Sequence, residues 1–264
     1  MRSLHIPMTF EEWDRMPWRF GWKHEYFHGE AHITPRHDHV HVRFRGSIPS
    51  SELPDGLHMR PVVPDDAPAL IEAFIETFED GVEFCDWPEE KIHEHAEMNI
   101  TEYFAGRRGE AMEASNIVLE GDRIVGAALL CHRDEEPVLD LLMVGPGFRR
   151  KGIARSLVGV AVEELRERGE GENLRSAYHA ANVESTKWHE SFGFEEEPDI
   201  FLAKMRRMFY IHESSRFPEN SEERARLEAL YEKWSRRAEE LEEVADREGF
   251  EAVAPVLRYS WRVR

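Results

Sequence analysis

At 264 residues and 41% hydrophobic side chains, the chain is long enough for one or two domains and apolar enough to bury a core, which excludes wholesale disorder. Its 53 acidic residues against 34 basic ones leave a formal net charge of −19, which argues against a nucleic-acid or anionic-membrane surface and leaves room for a cationic partner. Two cysteines, Cys85 and Cys131, do not make a disulfide framework, and no apolar run reaches signal-peptide or membrane-span length, so a cytoplasmic protein is expected.

In chain order, three regions are expected: an N-terminal extension over 1–56, a central domain over 57–213 and a C-terminal segment over 214–264. The first is rich in histidine and aromatic residues. Thr9-Phe10-Glu11-Glu12 reads as a capping box that opens a short helix stopped by Pro17. Lys23–Phe27 and Ala31–Thr34 read as a hairpin about His28-Gly29-Glu30, His39–Arg45 as a further strand, and 46–56 as a turn-rich linker. His24, His28, His32, His37, His39 and His41 crowd this region. His37, His39 and His41 share one strand face, a spacing that could suit zinc or nickel, but without cysteine partners or a helical histidine pair they read as surface and hairpin histidines of an aromatic-rich sheet, and no metal site is assigned.

In the central region, Leu57–Val62 reads as a strand and Ala67–Phe78 as a helix; 81–105 is mainly helical with a break at Pro88. Ser115–Leu119 and Ile124–Cys131 form antiparallel strands about a turn at 120–123. Then an apolar strand, Val138–Val144, runs into a glycine-containing turn and the amphipathic helix from Ile153 to Leu165. Leu174–Ala180 is a strand, Ser185–Phe192 a helix, and two strands follow, around Phe194 and over Ile200–His212. In the C-terminal segment, Glu222–Glu248 is a charged helix whose stripe Leu227, Leu230, Tyr231, Trp234, Ala238, Leu241 and Val244 packs on the body or on a second subunit. Gly249 ends it, and Val253–Val263 reads as a terminal strand.

The turn after Val144 carries the chemistry. N–H groups at a helix start lack intrahelical partners, and the helix dipole adds positive charge, so a pyrophosphate fits there. Gly152 lets the main chain approach, Ala154 keeps the first turn narrow, and Arg149, Arg150 and Lys151 are basic where a purely structural helix prefers acids. Arg149-x-x-Gly152-x-Ala154 resembles the acyl-CoA signature of the GNAT N-acetyltransferase superfamily. The order strand, cradle, helix and Asn182-Val183-Glu184-Ser185 agrees with that family, as does the pair Arg60 and Asp66 in the first strand and helix. The resemblance implies an α/β fold with a mixed sheet flanked by helices, to which an N-terminal hairpin and a C-terminal helix plus strand are added.

It also implies an acyl-CoA cosubstrate, acetyl-CoA by default, and an amine acceptor. The cosubstrate would be held by Leu142, Met143, Val144, Arg149, Arg150, Lys151, Gly152, Ile153, Ala154, Arg155, Asn182 and Ser185. The motif strand would splay from Leu174–Ala180 to admit the pantetheine arm, with the Val144 N–H as oxyanion donor. Where many relatives carry a tyrosine that protonates the leaving thiolate, this chain has His189; His189 and water are the two candidates for that proton. Asp140, two residues from Val138 on the strand, is the candidate base, ahead of Glu79, Glu83 and His179; a structural hydrogen bond is its alternative role.

The resemblance leaves the acceptor open, and the acidic stretch Glu79, Asp80, Glu83, Asp86 and Trp87 suits either a cationic amine or plain solvation. Neither nucleic acid nor membrane is an expected partner, and the terminal extensions pack together or form a homodimer interface. Met8–Glu30 also resembles the opening of a family of endonuclease-like bacterial proteins, but the nuclease positions do not follow, so it reads as an appendage. A non-catalytic acyl-CoA sensor and a metal-binding module built on the N-terminal histidines are the alternative functions.

Overall fold

The computed structural model describes residues 3–46, 52–170 and 173–254. In chain order the first elements are β1 (Leu4–Pro7), α1 (Phe10–Asp14), β2 (Trp22–Phe27), β3 (Glu30–Pro35), β4 (His39–Phe44), β5 (Leu57–Pro61), α2 (Ala67–Phe78) and α3 (Glu89–Phe104). Next come β6 (Glu110–Ala111), β7 (Asn116–Glu120), β8 (Arg123–Arg133), β9 (Glu136–Val144), α4 (Ile153–Glu167), β10 (Arg175–His179) and α5 (Val183–Phe192). Last are β11 (Phe194–Glu196), α6 (Ile200–Ser215) and α7 (Glu222–Glu248).

The chain divides into two units: Val42–Tyr178 with Asn182–Glu195, and Ser3–His41 with His179–Ala181 and the chain from Glu196 onward. The first is built on a mixed sheet in the order β11-β4-β10-β9-β8-β7-β5, with β6 on the side of β8. Strands β5, β7, β8 and β9 are antiparallel neighbours, whereas β10 is parallel to β9 because α4 carries the chain across between them. Helix α4 buries Ile153, Leu157, Val158, Ala161, Val162 and Leu165 along one face, the 3.6-residue period of a helix lying on a sheet. A Cβ on Gly126 of β8 would stand 2.8 Å from Ile153 Cγ2, so glycine is what allows the start of α4 so close to the strand.

Strand β4 departs from the expected boundaries. His39–Phe44 was placed in an N-terminal extension, but it lies between β11 and β10 in the large sheet. Val40 through Phe44 are all buried, which is the mark of a central strand rather than a hairpin edge. Arg43 is accommodated there by Glu136 at 3.1 Å and Asn173 at 3.4 Å.

The second unit holds an antiparallel sheet of order β1-β3-β2 and a helical hairpin, α6 on α7. The capping box at Thr9 is present, with Glu12 N–H donating to Thr9 Oγ1 at 3.2 Å. The β2–β3 turn has positive φ at both His28 (50°) and Gly29 (86°), the hairpin turn whose twist matches the strands. Ile200–Ser215 is a helix, not the expected strand. Asp199 Oδ1 accepts the Leu202 N–H at 2.8 Å and starts it, and Ile200 and Ala203 then face Trp234, Ala238 and Leu241 of α7. Burial within α6 is confined to Ile200, Leu202, Ala203 and Ser214. After Gly249, Phe250–Ala252 makes a 3₁₀ turn; the expected terminal strand lies beyond 254, outside the described residues, except for its first two positions. None of the described helices is long and apolar enough to cross a membrane.

Candidate functional site

The site begins with an irregularity in β9. Leu129 of β8 pairs with Leu141 but Leu130 pairs with Leu139, so Asp140 is the extra residue of a bulge. On its other side, among the described residues, β9 pairs with β10 only at Val138 with Arg175 and Leu139 with Ser176. The two parallel strands part company at the bulge, and Leu141, Leu142 and Val144 are only half-buried where β10 no longer covers them.

Register decides which main-chain groups face that opening. Antiparallel pairs alternate between exchanging both hydrogen bonds and exchanging none. Gly145 N–H donates to the Val125 carbonyl at 3.0 Å, so Val144, opposite Gly126, is a non-bonded pair, as is Leu142 opposite Ala128. The N–H and C=O groups of Leu142 and Val144 therefore point away from β8, toward the side of β10. Met143, opposite Ala127, spends its main-chain bonds on β8, and its side chain is buried; its expected share in main-chain recognition falls away for that reason.

Between β9 and α4 the chain makes a 3₁₀ turn at Pro146–Phe148 that the sequence did not signal, and then a tight corner. Arg150 (φ 61°) and Gly152 (φ 86°) are both left-handed around Lys151. That geometry costs nothing at glycine but strains arginine, and such strain collects at functional turns. No side chain caps α4 and no acid lies in its first turn, whereas Asn182, Asp199 and Ser221 each cap the helix that follows them. The N–H groups of Gly152, Ile153, Ala154 and Arg155 precede the first helical bond, from Ser156 N–H to the Gly152 carbonyl, so they form a ready anion cradle.

The cations around it divide. Arg150 and Lys151 are exposed, Lys151 Nζ lying 4.8 Å from the Phe148 ring, and Arg155 sits 4.8 Å over Phe192. Arg149 was expected to reach for the anion, but Nη2 donates to the Thr77 carbonyl at 2.8 Å and Nε to the Val144 carbonyl at 3.3 Å. It ties the end of α2 to the end of β9.

The other expected side chains are also engaged. Asn182 Oδ1 accepts the Ser185 N–H at 2.9 Å, so Asn182 rather than Ser185 is the residue that starts α5. Its Nδ2 donates to Glu83 Oε1 at 2.6 Å, which leaves its amide with protein partners instead of an arm of a ligand. Ser185 Oγ lies 3.4 Å from His189 Nδ1. His189 itself is buried, with Nδ1 2.8 Å from the Ser185 carbonyl oxygen and Nε2 3.2 Å from Ser176 Oγ, against Tyr178, Trp188 and Phe194. Burial pushes its pKa down to about 4. It is a neutral imidazole that ties α5 to β10 just where β10 leaves β9, and a buried neutral ring is a poor proton donor to a leaving thiolate.

Asp140 has a structural role in place of the expected one. Arg108 Nε and Nη2 hold its two oxygens at 2.5 and 3.1 Å, and Arg133 Nη2 adds a bond of 2.7 Å, with 2% of the carboxylate side chain exposed. The bulge removes the simple alternation from Val138 to Asp140 and turns the side chain into this clamp. Arg133 also donates to the Arg108 carbonyl at 2.8 Å, closing the network. Arg108 and Arg133 were missed because nothing local in the sequence marks them; Gly126, a glycine inside a strand, was a visible signal of close approach. Among the lesser candidates, Glu79 is exposed, His179 falls in the second unit, and Glu83 stands at Asn182. The Cys131 thiol is raised to about 11 by burial and is no nucleophile.

Residues 68–194 match the acetyltransferase (GNAT) family. No curated protein matches the chain. Among solved structures, a GCN5-related N-acetyltransferase from Sphaerobacter thermophilus is similar at 18% identity and a TM-score of 0.42, over 60% of this chain and 47% of that one. The PaiA N-acetyltransferase from Thermoplasma acidophilum, solved in complex with coenzyme A, is similar at 17% identity and a TM-score of 0.42, over 53% of this chain and 89% of that one. The chain thus spans under half the length of the Sphaerobacter protein.

Proposed function

We propose, on the premise that the central part of this chain belongs to the GNAT acetyltransferase family, that it moves an acyl group from acyl-CoA, acetyl-CoA by default, to an amine by direct attack. The observation that carries the reading is the uncapped start of α4 beside an opening between β9 and β10. The residues fit the cosubstrate: the N–H groups of Gly152 to Arg155 would take the pyrophosphate, Arg150 and Lys151 its charge, and Leu142 and Val144 the amides of the arm.

In the transfer, the amine nitrogen forms a bond to the thioester carbon and the carbon–sulfur bond breaks, so the electron pair leaves on sulfur. The Val144 N–H would donate to the carbonyl oxygen as negative charge develops there. The amine loses one proton, and we assign Glu83, half-buried at the cap of α5, as the carboxylate that accepts it directly or through water. The thiolate takes its proton from water, since His189 is buried and neutral. His189 is a positioning residue. We place the reaction in the cytoplasm, where two cysteines that make no disulfide are at home.

Isothermal titration of acetyl-CoA tests the foundation. Wild type is expected to bind in the micromolar range, and Gly152→Glu, which puts a carboxylate in the cradle at a left-handed position, is expected to lose about 100-fold or more with its melting temperature close to that of Gly152→Ala. Absence of binding by folded wild type overturns the reading. With an accepting amine in hand, Glu83→Gln is expected to lower kcat by about 100-fold while acetyl-CoA affinity holds. Affinity without acceptor-dependent release of CoA from wild type establishes the sensor reading instead, which the structural engagement of both Asp140 and His189 favours.

A further inference from the structure

The second unit carries a feature that acyl transfer does not use. Strand β3 alternates: Ala31 and Ile33 are buried, which turns Glu30 and His32 to the opposite face. β1 runs antiparallel beside it with His5 directly across from His32, and the two imidazoles lie with centroids 4.2 Å apart and planes tilted by 32°. His32 Nε2 stands 3.7 Å from Glu30 Oε2. One ligand atom from each of His5, Glu30 and His32 lies within 4.8 Å of the others. On the far side of β3, Glu25 sits across from His32 but is paired with Lys23 at 2.7 Å.

We propose that His5, Glu30 and His32 bind a borderline-soft divalent cation of the zinc class. Two imidazole nitrogens and one carboxylate oxygen are the donor set such ions prefer. Metal–ligand bonds of about 2.0–2.1 Å in a tetrahedron put ligand atoms about 3.4 Å apart, so small rotations of side chains already this close complete three corners. The fourth corner faces solvent, because His5 is exposed, and takes water or another donor. The strands supply rigidity: two ligands share one strand at a two-residue step and the third is fixed by register across it. His37, His39 and His41, the trio that spacing alone suggested, do not converge; His37 lies in the loop before β4 and His41 is buried. Bound metal would clip β1, an edge strand, to β3. The proposal is independent of the acyl-transfer reading.

The test is calorimetric titration of zinc chloride, and separately nickel chloride, into the full chain freed of any affinity tag. One equivalent is expected to bind with micromolar or tighter affinity and to raise the melting temperature. His5→Asn and Glu30→Gln, both at accessible positions and close in size to the native residues, are each expected to weaken binding at least tenfold. His37→Asn and His93→Asn are expected to leave it unchanged. Binding only at millimolar metal, or a loss that follows His37 or His93 rather than His5 and Glu30, overturns the site. Should His5→Asn unfold the chain, Glu30→Gln alone decides between the outcomes.

Discussion

Asp140→Ala is expected to destabilise the first unit by about 3–5 kcal/mol, because it leaves two largely buried guanidinium groups without their carboxylate. Arg108 and Arg133 side chains are only 14% and 19% exposed, so water replaces the lost partner poorly. The melting temperature is expected to fall by about 10 °C or more. Asp140→Asn, which keeps an acceptor oxygen, is expected to fall between that variant and wild type. Asp140→Ala also separates a structural from a catalytic role for this residue. A structural clamp predicts loss of stability with turnover per folded molecule changed mainly through KM, as the bulge that parts β9 from β10 relaxes. A melting temperature equal to wild type with turnover reduced about 100-fold would instead return Asp140 to the chemistry.

Acid is expected to unfold the protein well above the carboxylate range. His189 is shifted by burial from 6.5 to about 4, so it is neutral when folded and takes up a proton on unfolding at any pH between those values. The unfolded state then binds more protons, and stability rises with pH. The contribution is complete above pH 6.5 and is lost as pH falls to about 4, amounting to about 3 kcal/mol for a shift of this size. His95 in the same unit and His179 in the other are also lowered to about 4, chiefly by burial, and add in the same direction. Urea melts at intervals from pH 8 to pH 4.5 are expected to show the midpoint falling through this window. His189→Gln is expected to flatten the dependence while lowering stability at pH 8, where the native ring makes two hydrogen bonds. A midpoint level from pH 8 to pH 5 would show that the buried rings do not set acid stability.

Most of the secondary structure was legible because it is written in local chemistry. The capping box at Thr9, the His28-Gly29 turn, helix 67–78 and helix 222–248 each follow from residues within one or two turns of each other. The strand expected at 200–212 is the exception: the segment is a helix, and only the partner helix α7 shows which positions needed burial.

The cradle at Gly152 is local in the same sense. Glycine in a left-handed corner, no acid in the next turn and a helix start are all matters of adjacent residues, so the sequence by itself carried the family resemblance and the expectation of an anion site there. What tertiary structure alone decided is which expected groups remain available to a ligand. Arg149 is spent on Thr77, Asn182 on Glu83, Asp140 on Arg108 and Arg133, and His189 on Ser176, each across a gap in sequence that no spacing rule bridges. The choice of Leu142 and Val144 over Met143 likewise depends on the register against β8, and the convergence of His5 with His32 on pairing between β1 and β3. A side chain's chemistry is intrinsic, but whether it is free to act depends on which partners the fold brings within hydrogen-bond reach.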